Sequence, residues 1–439
     1  AIVPKSLSQK SELGTPISEL LEINDFIYEL AITANRPDGM SMIGIAREVS
    51  ALLQTKLTNL EITKNLPICE FHPHIIKTNS INNDSIYSIT TINNVDGNKT
   101  SPKWLKDRLE KSDIKSINLI VDITNYILLE QGQPLHAFDK DKLTKLVGKP
   151  VSQNDFGIRD AKEGETLKGL DGNIYNLNKS VTVITCVDIP IAIAGVIGGI
   201  ETSVSDSTTS IFLEAAVFNP TSIRKSSKQI GLRTESSSRF EKGISNKNTV
   251  PSVKRAIKLF EDFFKISNQM LFIYKDVNNN LTLIKLRRER IHKILGPIKV
   301  KSADTKTNNL IKRNLNDKEI TDKLELIGCT LINKNYGWDV EVVPTRSQDL
   351  FREIDLIEEI ARLIGYDLFD ENIPNPLIPG KLTSVQNSIR KIRNGFIHSG
   401  FNEVLTYSLV PDDNNKRIRI TNPLLKETSC LRNNLWEEH

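Results

Sequence analysis

The chain lacks what a disulfide scaffold or a zinc ribbon needs. Its four cysteines, Cys69, Cys186, Cys329 and Cys430, lie far apart and form no CxxC pair. That spacing excludes a disulfide framework and fits a reducing compartment. No apolar run approaches the ~18 residues of a membrane-spanning helix, so no membrane association is expected. No basic segment followed by an apolar stretch opens the sequence as a secretory signal would. No glycine-rich phosphate loop of the P-loop type is present, which argues against a nucleotide-hydrolysing site. An excess of one charge is also missing: 58 Lys and Arg balance 54 Asp and Glu, a net of +4. A balance this small neither requires nor excludes a nucleic-acid partner, because a local basic patch can still exist.

What is present reads as several soluble folding units. At 439 residues the chain exceeds one ordinary core, and about three domains are expected. Residues 26–32, FIYELAI, read as a strand. The turn NRPDG at 35–39 follows, and Ser41 caps the amphipathic helix MIGIAREVSALL. Residues 55–83 mix Thr, Asn, Lys and Pro and read as a linker. SIYSITTI at 85–92 alternates like a strand, Ser101-Pro102 opens a helix, and VDITNYILLEQ is a helix ended by Gly132. β-rich pieces such as VTVITC and IAIAGVIGG come next, then a helix from about 250 to 264. A third unit contains two short helices, a Lys-rich insertion at 299–313, a strand pair around Gly337 and a strongly periodic helix. Helix, helix, hairpin is a winged-helix order. A last helix, LTSVQNSIRKIRNGFIHSG, and a strand, NEVLTYSLV, close the sequence.

The periodic helix carries the densest chemistry. Ile354, Ile357, Ile360, Ala361 and Ile364 form one apolar stripe, while Asp355, Glu358 and Glu359 gather at i, i+3 and i+4 and Asp349 lies about one turn upstream. Like charges so spaced cost a helix ~0.2–0.5 kcal/mol per pair, and oxygen-only ligands suit Mg²⁺ or another hard cation. The plainer reading is a solvated face with Arg352 and Arg362 as salt partners, the usual fate of a charge run.

Four further features stand out. VDITNYILLEQGQPLHAFD can bring Thr124, Asn125 and His136 together, although a lone histidine is more often a satisfied, part-buried ring. GVIGG at 195–199 brings backbone close to a neighbour. Glu214 is an acid inside the apolar run IFLEAAVF, costly unless paired or functional. GLRTESSSRFEKG, with Thr234, Ser236 and Arg239, reads as a polar loop suited to a polar ligand or simply solvated.

In the order NRPD…GIAREV, VDITNY…GQPLHAFD, AGVIGG, GLRTESSSRFEKG and DLFREIDLIEEIARLIGYD, these motifs resemble the β-subunit family of the bacterial-type heterotetrameric phenylalanine–tRNA ligases. RTESSSRFEKGIS looks most like cyanobacterial and plastid-encoded members. The resemblance implies an α+β multidomain fold. It would have a partial N-terminal α/β domain at 1–54, a linker at 55–83 and a mixed α/β editing domain at 84–270. A winged-helix-like Mg²⁺-binding domain at 281–369 and the truncated start of an inactive class II synthetase-like antiparallel domain at 381–439 would follow. The first residue is Ala1 and the last segment stops inside an apparent element. The expectation is therefore an internal fragment, lacking the family's tRNA-binding oligonucleotide-fold module and its anticodon-binding domain.

The resemblance also assigns roles. Asp349, Asp355, Glu358 and Glu359 would hold Mg²⁺. Lys115, Thr124, Asn125, His136, Gly198, Glu214, Thr234 and Ser236 would line a pocket that hydrolyses tyrosine wrongly joined to the phenylalanine tRNA, with Glu214 accepting the phenolic hydroxyl. Lys115 replaces the family's usual arginine and loses its bidentate fork, and Ser236 stands where alanine is common. ATP and phenylalanine would be activated on the α subunit of an α2β2 tetramer that binds tRNA(Phe). The implied compartment is the plastid stroma, with bacterial cytoplasm as the alternative. Two other classes compete: a non-enzymatic nucleic-acid-binding adaptor with a structural Mg²⁺, which predicts no closed pocket around Glu214, and a free-standing Mg²⁺-dependent hydrolase, which predicts a solvent-open metal site.

Overall fold

A computed structural model describes residues 16–20, 25–58, 60–63, 65–74, 76–77, 85–267, 269–274, 283–301, 310–371, 380–413 and 416–435. The chain is mixed α/β and divides into a unit of residues 1–370 and a unit of residues 371–439.

Strand alternation organises most of the first unit. A five-stranded sheet runs Ile68–Glu70, Leu271–Tyr274, Ile86–Asn93, Ser210–Val217, Leu135–Asp139, antiparallel except for its first pair. Along Ser210–Val217 successive side chains take opposite faces. Ile211, Leu213, Ala215 and Val217 join one core, and Phe212 and Ala216 join another. Ile86 and Ile92 likewise separate from Tyr87 and Ile89 on the neighbouring strand. The first core is closed by the helices Lys103–Lys111, Leu119–Gln131 and Thr249–Phe263, which contribute Leu105, Ile123, Ile257 and Phe260. The second is closed by another five-stranded sheet, ordered Ile197–Gly198, Ile189–Ile193, Thr182–Cys186, Phe156–Asp160, Ile76–Lys77. Phe138, Phe156 and Phe212 stack edge to face or tilted between the two sheets, 5.2–5.8 Å centroid to centroid.

A third core collects Leu286, Ile291, Ile320, Leu324, Trp338, Val340, Leu356 and Ile360. Its frame is a three-stranded sheet, Leu283–Arg287, Gly337–Glu341, Thr330–Lys334, packed with the helices Arg288–Leu295, Asp317–Leu326 and Glu353–Ile364. Ala51 of the Met42–Leu53 helix belongs to the same core. Ser41 caps it as expected, its Oγ accepting the Gly44 N–H at 3.1 Å.

Several local expectations change. Residues 26–32 form no strand and leave Phe26, Ile27 and Tyr28 exposed, because no sheet edge pairs with them. The stretch read as a linker supplies the strand Ile68–Glu70, which pairs in parallel with Leu271–Tyr274. Part of it (59, 64, 75 and 78–83) lies outside the described residues, as do 302–309 of the Lys-rich insertion. Ser101 does not cap the next helix. Its Oγ donates to Asp122 at 2.6 Å, and Ser116 Oγ and the Ile117 N–H complete the same fully buried carboxylate.

In the second unit, Thr383 caps the Ser384–His398 helix, and Leu409–Val410 pairs antiparallel with Cys430–Leu431. Only those two residues of the expected NEVLTYSLV strand are extended in a ladder. Among the described residues, no helix is long and apolar enough to cross a membrane.

Candidate functional site

Register puts a carboxyl group where an apolar residue belongs. Glu214 lies directly opposite His136 on the edge strand and Ile89 on the other side, on the face that carries Phe212 and Ala216. A cavity of about 70 Å³ opens there, lined among others by His136, Gly198, Glu214, Ser236, Phe218 and Phe240. Its roof is the turn 194–199. Gly198 must be glycine: a Cβ there would stand 2.4 and 2.6 Å from Cε1 and Nε2 of the His136 ring. Gly195 takes φ +67°, where a side chain would also press on Phe240.

Both ionisable groups in the cavity are neutral at pH 7. Burial pushes the Glu214 carboxyl up to about 8 and the His136 imidazole down to about 4. Among the described residues, no charge or hydrogen bond offsets the burial of either group. His136 Nε2 is buried without a hydrogen-bond partner, and its ring meets Phe138 edge to face at 4.5 Å. Tyr87, whose hydroxyl is also buried and unpartnered, lies on the same sheet face two residues from the Glu214 register. Isoleucine, valine, alanine and phenylalanine make up much of the remaining wall. Such a site favours an aromatic or aliphatic group bearing one polar atom.

The other expected pocket residues are placed as follows. Thr234 Oγ1 donates to the carbonyl of Val196 at 2.9 Å and accepts the Ser237 N–H at 3.1 Å, tying the glycine turn to a helix start. Thr234 does not itself line the cavity. GLRTESSSRFEKG is not a loop throughout, because the Thr234 capping box starts the helix Glu235–Lys242, whose Ser236 and Phe240 reach the cavity. Thr124 bonds its own helix through Val121 O at 2.7 Å, and neither it nor Asn125 lines the cavity. Lys115 is exposed and away from the lining. Phe218, Phe240 and Tyr87 had no place in the sequence reading; Tyr87 and Phe212 share the period of Glu214, which is the signal that would find this face.

The acidic cluster of the Glu353–Ile364 helix is engaged by arginines. Arg346, 3% exposed, binds Asp349 at 2.6 Å and Glu359 at 3.1 Å. Glu359 also takes Arg362 Nη2 at 2.6 Å, and Arg362 Nη1 continues to Glu48 at 2.7 Å. Glu48 and Asp38 in turn hold Arg36 at 2.7 and 2.8 Å. Burial alone would raise the Glu359 carboxyl, but Arg346 and Arg362 outweigh it and take it down to about 2. Asp355 caps its own helix, accepting the Arg352 N–H at 2.8 Å and its guanidinium at 2.7 Å, while Glu358 is exposed. Asp349, Asp355, Glu358 and Glu359 therefore do not converge as a ligand set. Among the described residues, no three His, Cys, Asp or Glu side chains are disposed to hold a metal. Mg²⁺ does not fit these four residues as they stand here.

Comparison with known proteins agrees with the order of these parts. Residues 84–265 match the B3/4 domain family, 284–366 the tRNA synthetase B5 domain family and 371–439 the phenylalanyl tRNA synthetase beta chain CLM domain family. The phenylalanine–tRNA ligase beta subunit of Prochlorococcus marinus strain MIT 9312 is 60% identical over 446 residues, covering all of this chain and 53% of the relative. The same subunit from strain CCMP1986 is 59% identical, covering 100% and 54%. The chain belongs to the phenylalanine–tRNA ligase β-subunit family. The beta subunit of Synechococcus sp. strain CC9902 is 44% identical and again covers 100% and 53%. This member spans about half the length of the curated relatives it matches. A crystal structure of an N-terminal fragment of the Pyrococcus horikoshii phenylalanyl-tRNA synthetase β-subunit aligns at 15% identity and TM-score 0.39, covering 82% of this chain and 97% of that one.

Two measurements follow from these charges. Glu214 is raised in the folded state, so its contribution is full below about 4.5 and lost as pH rises through about 8. His136 is lowered, so its contribution is lost as pH falls from 6.5 towards about 4. The two oppose each other at mildly acidic pH, leaving Glu214 to act alone above it. Urea unfolding should show stability falling by ~2 kcal/mol between about pH 6.5 and 8, and Glu214→Gln should flatten that slope. An unchanged slope in the variant would assign the effect elsewhere. Separately, Arg346→Met leaves Asp349 and Glu359 buried with too little counter-charge and should cost ~3–5 kcal/mol in the same assay. A loss under ~1 kcal/mol would show the network to be dispensable.

Proposed function

We propose that this chain acts as the β subunit of a phenylalanine–tRNA ligase and that its Glu214 cavity removes tyrosine wrongly attached to the phenylalanine tRNA. The observation that carries the reading is a buried, partnerless carboxyl facing a cavity opposite His136, inside the segment that matches the B3/4 domain. A neutral carboxyl group both accepts and donates. Its carbonyl oxygen takes the phenolic O–H of tyrosine, and its own O–H answers the phenolic oxygen. Phenylalanine offers neither group and would leave the carboxyl desolvated and unpaired, the asymmetry by which a polar pocket rejects the analogue lacking a hydroxyl. The apolar wall around Phe218 and Phe240 takes the ring. His136, neutral, belongs to the same wall, with Nε2 packed against the glycine turn.

In this proposal ATP-dependent attachment of phenylalanine takes place on a separate α subunit, the assembly is an α2β2 tetramer, and tRNA(Phe) is the shared nucleic-acid partner. The pocket editing site comprises His136, Gly198, Glu214 and Ser236 directly, with Thr234 positioning the glycine turn. Thr124, Asn125 and Lys115 have a role only if bound tRNA reaches past the cavity. No Mg²⁺ step is assigned to the acidic helix, because a cation there would have to displace Arg346 and Arg352. The cavity at Glu214 favours this reading over a plain nucleic-acid adaptor. Cyanobacterial relatives favour a bacterial cytoplasm over the plastid stroma.

Glu214→Ala in the complete α/β complex should slow hydrolysis of tyrosyl-tRNA by ~10- to 100-fold, the loss of one or two hydrogen bonds to a buried polar group, and leave phenylalanine charging nearly intact. Pre-charged tyrosyl-tRNA in single turnover reads the first effect and amino-acid incorporation the second. Equal loss of both activities would make Glu214 a structural residue.

A further inference from the structure

A second cavity, about 30 Å³, lies where the start of the Met42–Leu53 helix meets the Glu235–Lys242 helix, the turn 243–248 and Thr345. Two arginines and Asp38 line it: Arg47 has no ion pair among the described residues, and Arg239 pairs with Glu235 but leaves one donor unmet. Arg47, half-buried, donates to Thr345 Oγ1 at 3.1 Å and makes no ion pair among the described residues. Burial pulls its pKa below the ordinary value, and nearby Asp38 offsets that only in part. Asp38 is already engaged by Arg36, which reaches its two oxygens at 2.9 and 2.8 Å. Arg239, 5% exposed, spends Nη1 on Glu235 and Nη2 on the Met40 carbonyl, while its Nε finds no acceptor. Ser245, 6% exposed, also lines the cavity with an unpartnered Oγ.

Water alone satisfies the orphan donors but does not neutralise a desolvated guanidinium. The space exceeds the ~10–15 Å³ that one water needs. The start of a 12-residue helix adds positive potential of the same sign. Guanidinium groups favour tetrahedral oxyanions through charge-assisted, often paired, hydrogen bonds. We propose that this junction is a binding site for a phosphate-type oxyanion, held by Arg47, Arg239 Nε and Ser245 Oγ. Its source is either a backbone phosphate of RNA or free inorganic phosphate. The site is separate from the Glu214 cavity and does not depend on the editing reading.

The test titrates the full chain with inorganic phosphate against chloride at matched ionic strength, followed by calorimetry and by phosphorus NMR line width. Wild type should bind phosphate saturably at one site. Arg47→Met should weaken it at least ~10-fold and Ser245→Ala by less, while Arg47→Lys retains part of the affinity. Unchanged circular dichroism spectra verify that the variants fold, and Ser245→Ala carries the test if Arg47→Met does not. Absence of saturable binding, or equal binding by wild type, Arg47→Met and Ser245→Ala, overturns the site. A tRNA transcript then separates the sources. If the transcript displaces phosphate and Arg47→Met lowers the salt slope of RNA binding by ~1, the ligand is an RNA phosphate. If phosphate stays bound beside saturating transcript, the ligand is the free anion.

Discussion

A single carboxyl group held inside a sheet without a partner sets the terms for everything around it. Burying such a group costs several kcal/mol by order of magnitude, and a neutral, protonated state is the least costly way to keep it. The surrounding fold keeps it because register gives Glu214 no choice: it shares a face with Phe212 and Ala216 and lies opposite His136. The facing turn packs on the ring because it carries glycine at 198, allowing backbone to approach the imidazole as no other residue could. The turn in turn hangs on Thr234, which caps a helix and holds Val196 with one hydroxyl. Carboxyl, ring, glycine and cap form one chain of dependence from strand register to ligand choice.

Electrostatics of the opposite kind hold the Met42–Leu53 helix to the third core. There buried and half-buried charges alternate, Arg36, Glu48, Arg362, Glu359, Arg346, Asp349, each within about 2.6–3.1 Å of a neighbour of opposite sign. Where Glu214 stays neutral for want of a counter-ion, Glu359 stays ionised because it has two. The contrast explains how one chain keeps carboxyl groups at about 8 and about 2 with similar burial. The network also accounts for the dense acids of the Glu353–Ile364 helix without a metal: Arg352 and Arg362, the partners expected of a plain charged face, do bind Asp355 and Glu359.

Much of this was legible in residue order. An acid inside IFLEAAVF, a histidine after a helix-ending glycine and a GVIGG turn could be marked from their chemistry, and these features meet in space. Periods of two and 3.6 located most of the longer helices and some strands, Ile86–Asn93, Thr182–Cys186 and Ile189–Ile193 among them. What the reading missed depended on distant partners. FIYELAI has strand composition but no edge to join, whereas Ile68–Glu70 looks like a linker and finds one. ESSSRFEK carries three successive serines, which favour caps and turns, yet the Thr234 cap and burial of Phe240 make it helical. Arg346 escaped notice because a single arginine in PTRSQD reveals nothing of the four acids around it. Lys115, carried over by resemblance, and Thr124 and Asn125, grouped with His136 from their motif, lie outside the cavity lining, and sequence alone has no means of measuring that separation.

The central claim is that the Glu214 carboxyl group reads a phenolic hydroxyl. Its most direct test compares non-hydrolysable tyrosyl- and phenylalanyl-adenosine analogues, by affinity and by a crystal structure of the tyrosyl complex. The account predicts at least ~10-fold tighter binding of the tyrosyl analogue and its phenolic oxygen ~2.5–3.0 Å from a Glu214 oxygen. Equal affinities, or a ring bound away from Glu214, would contradict it.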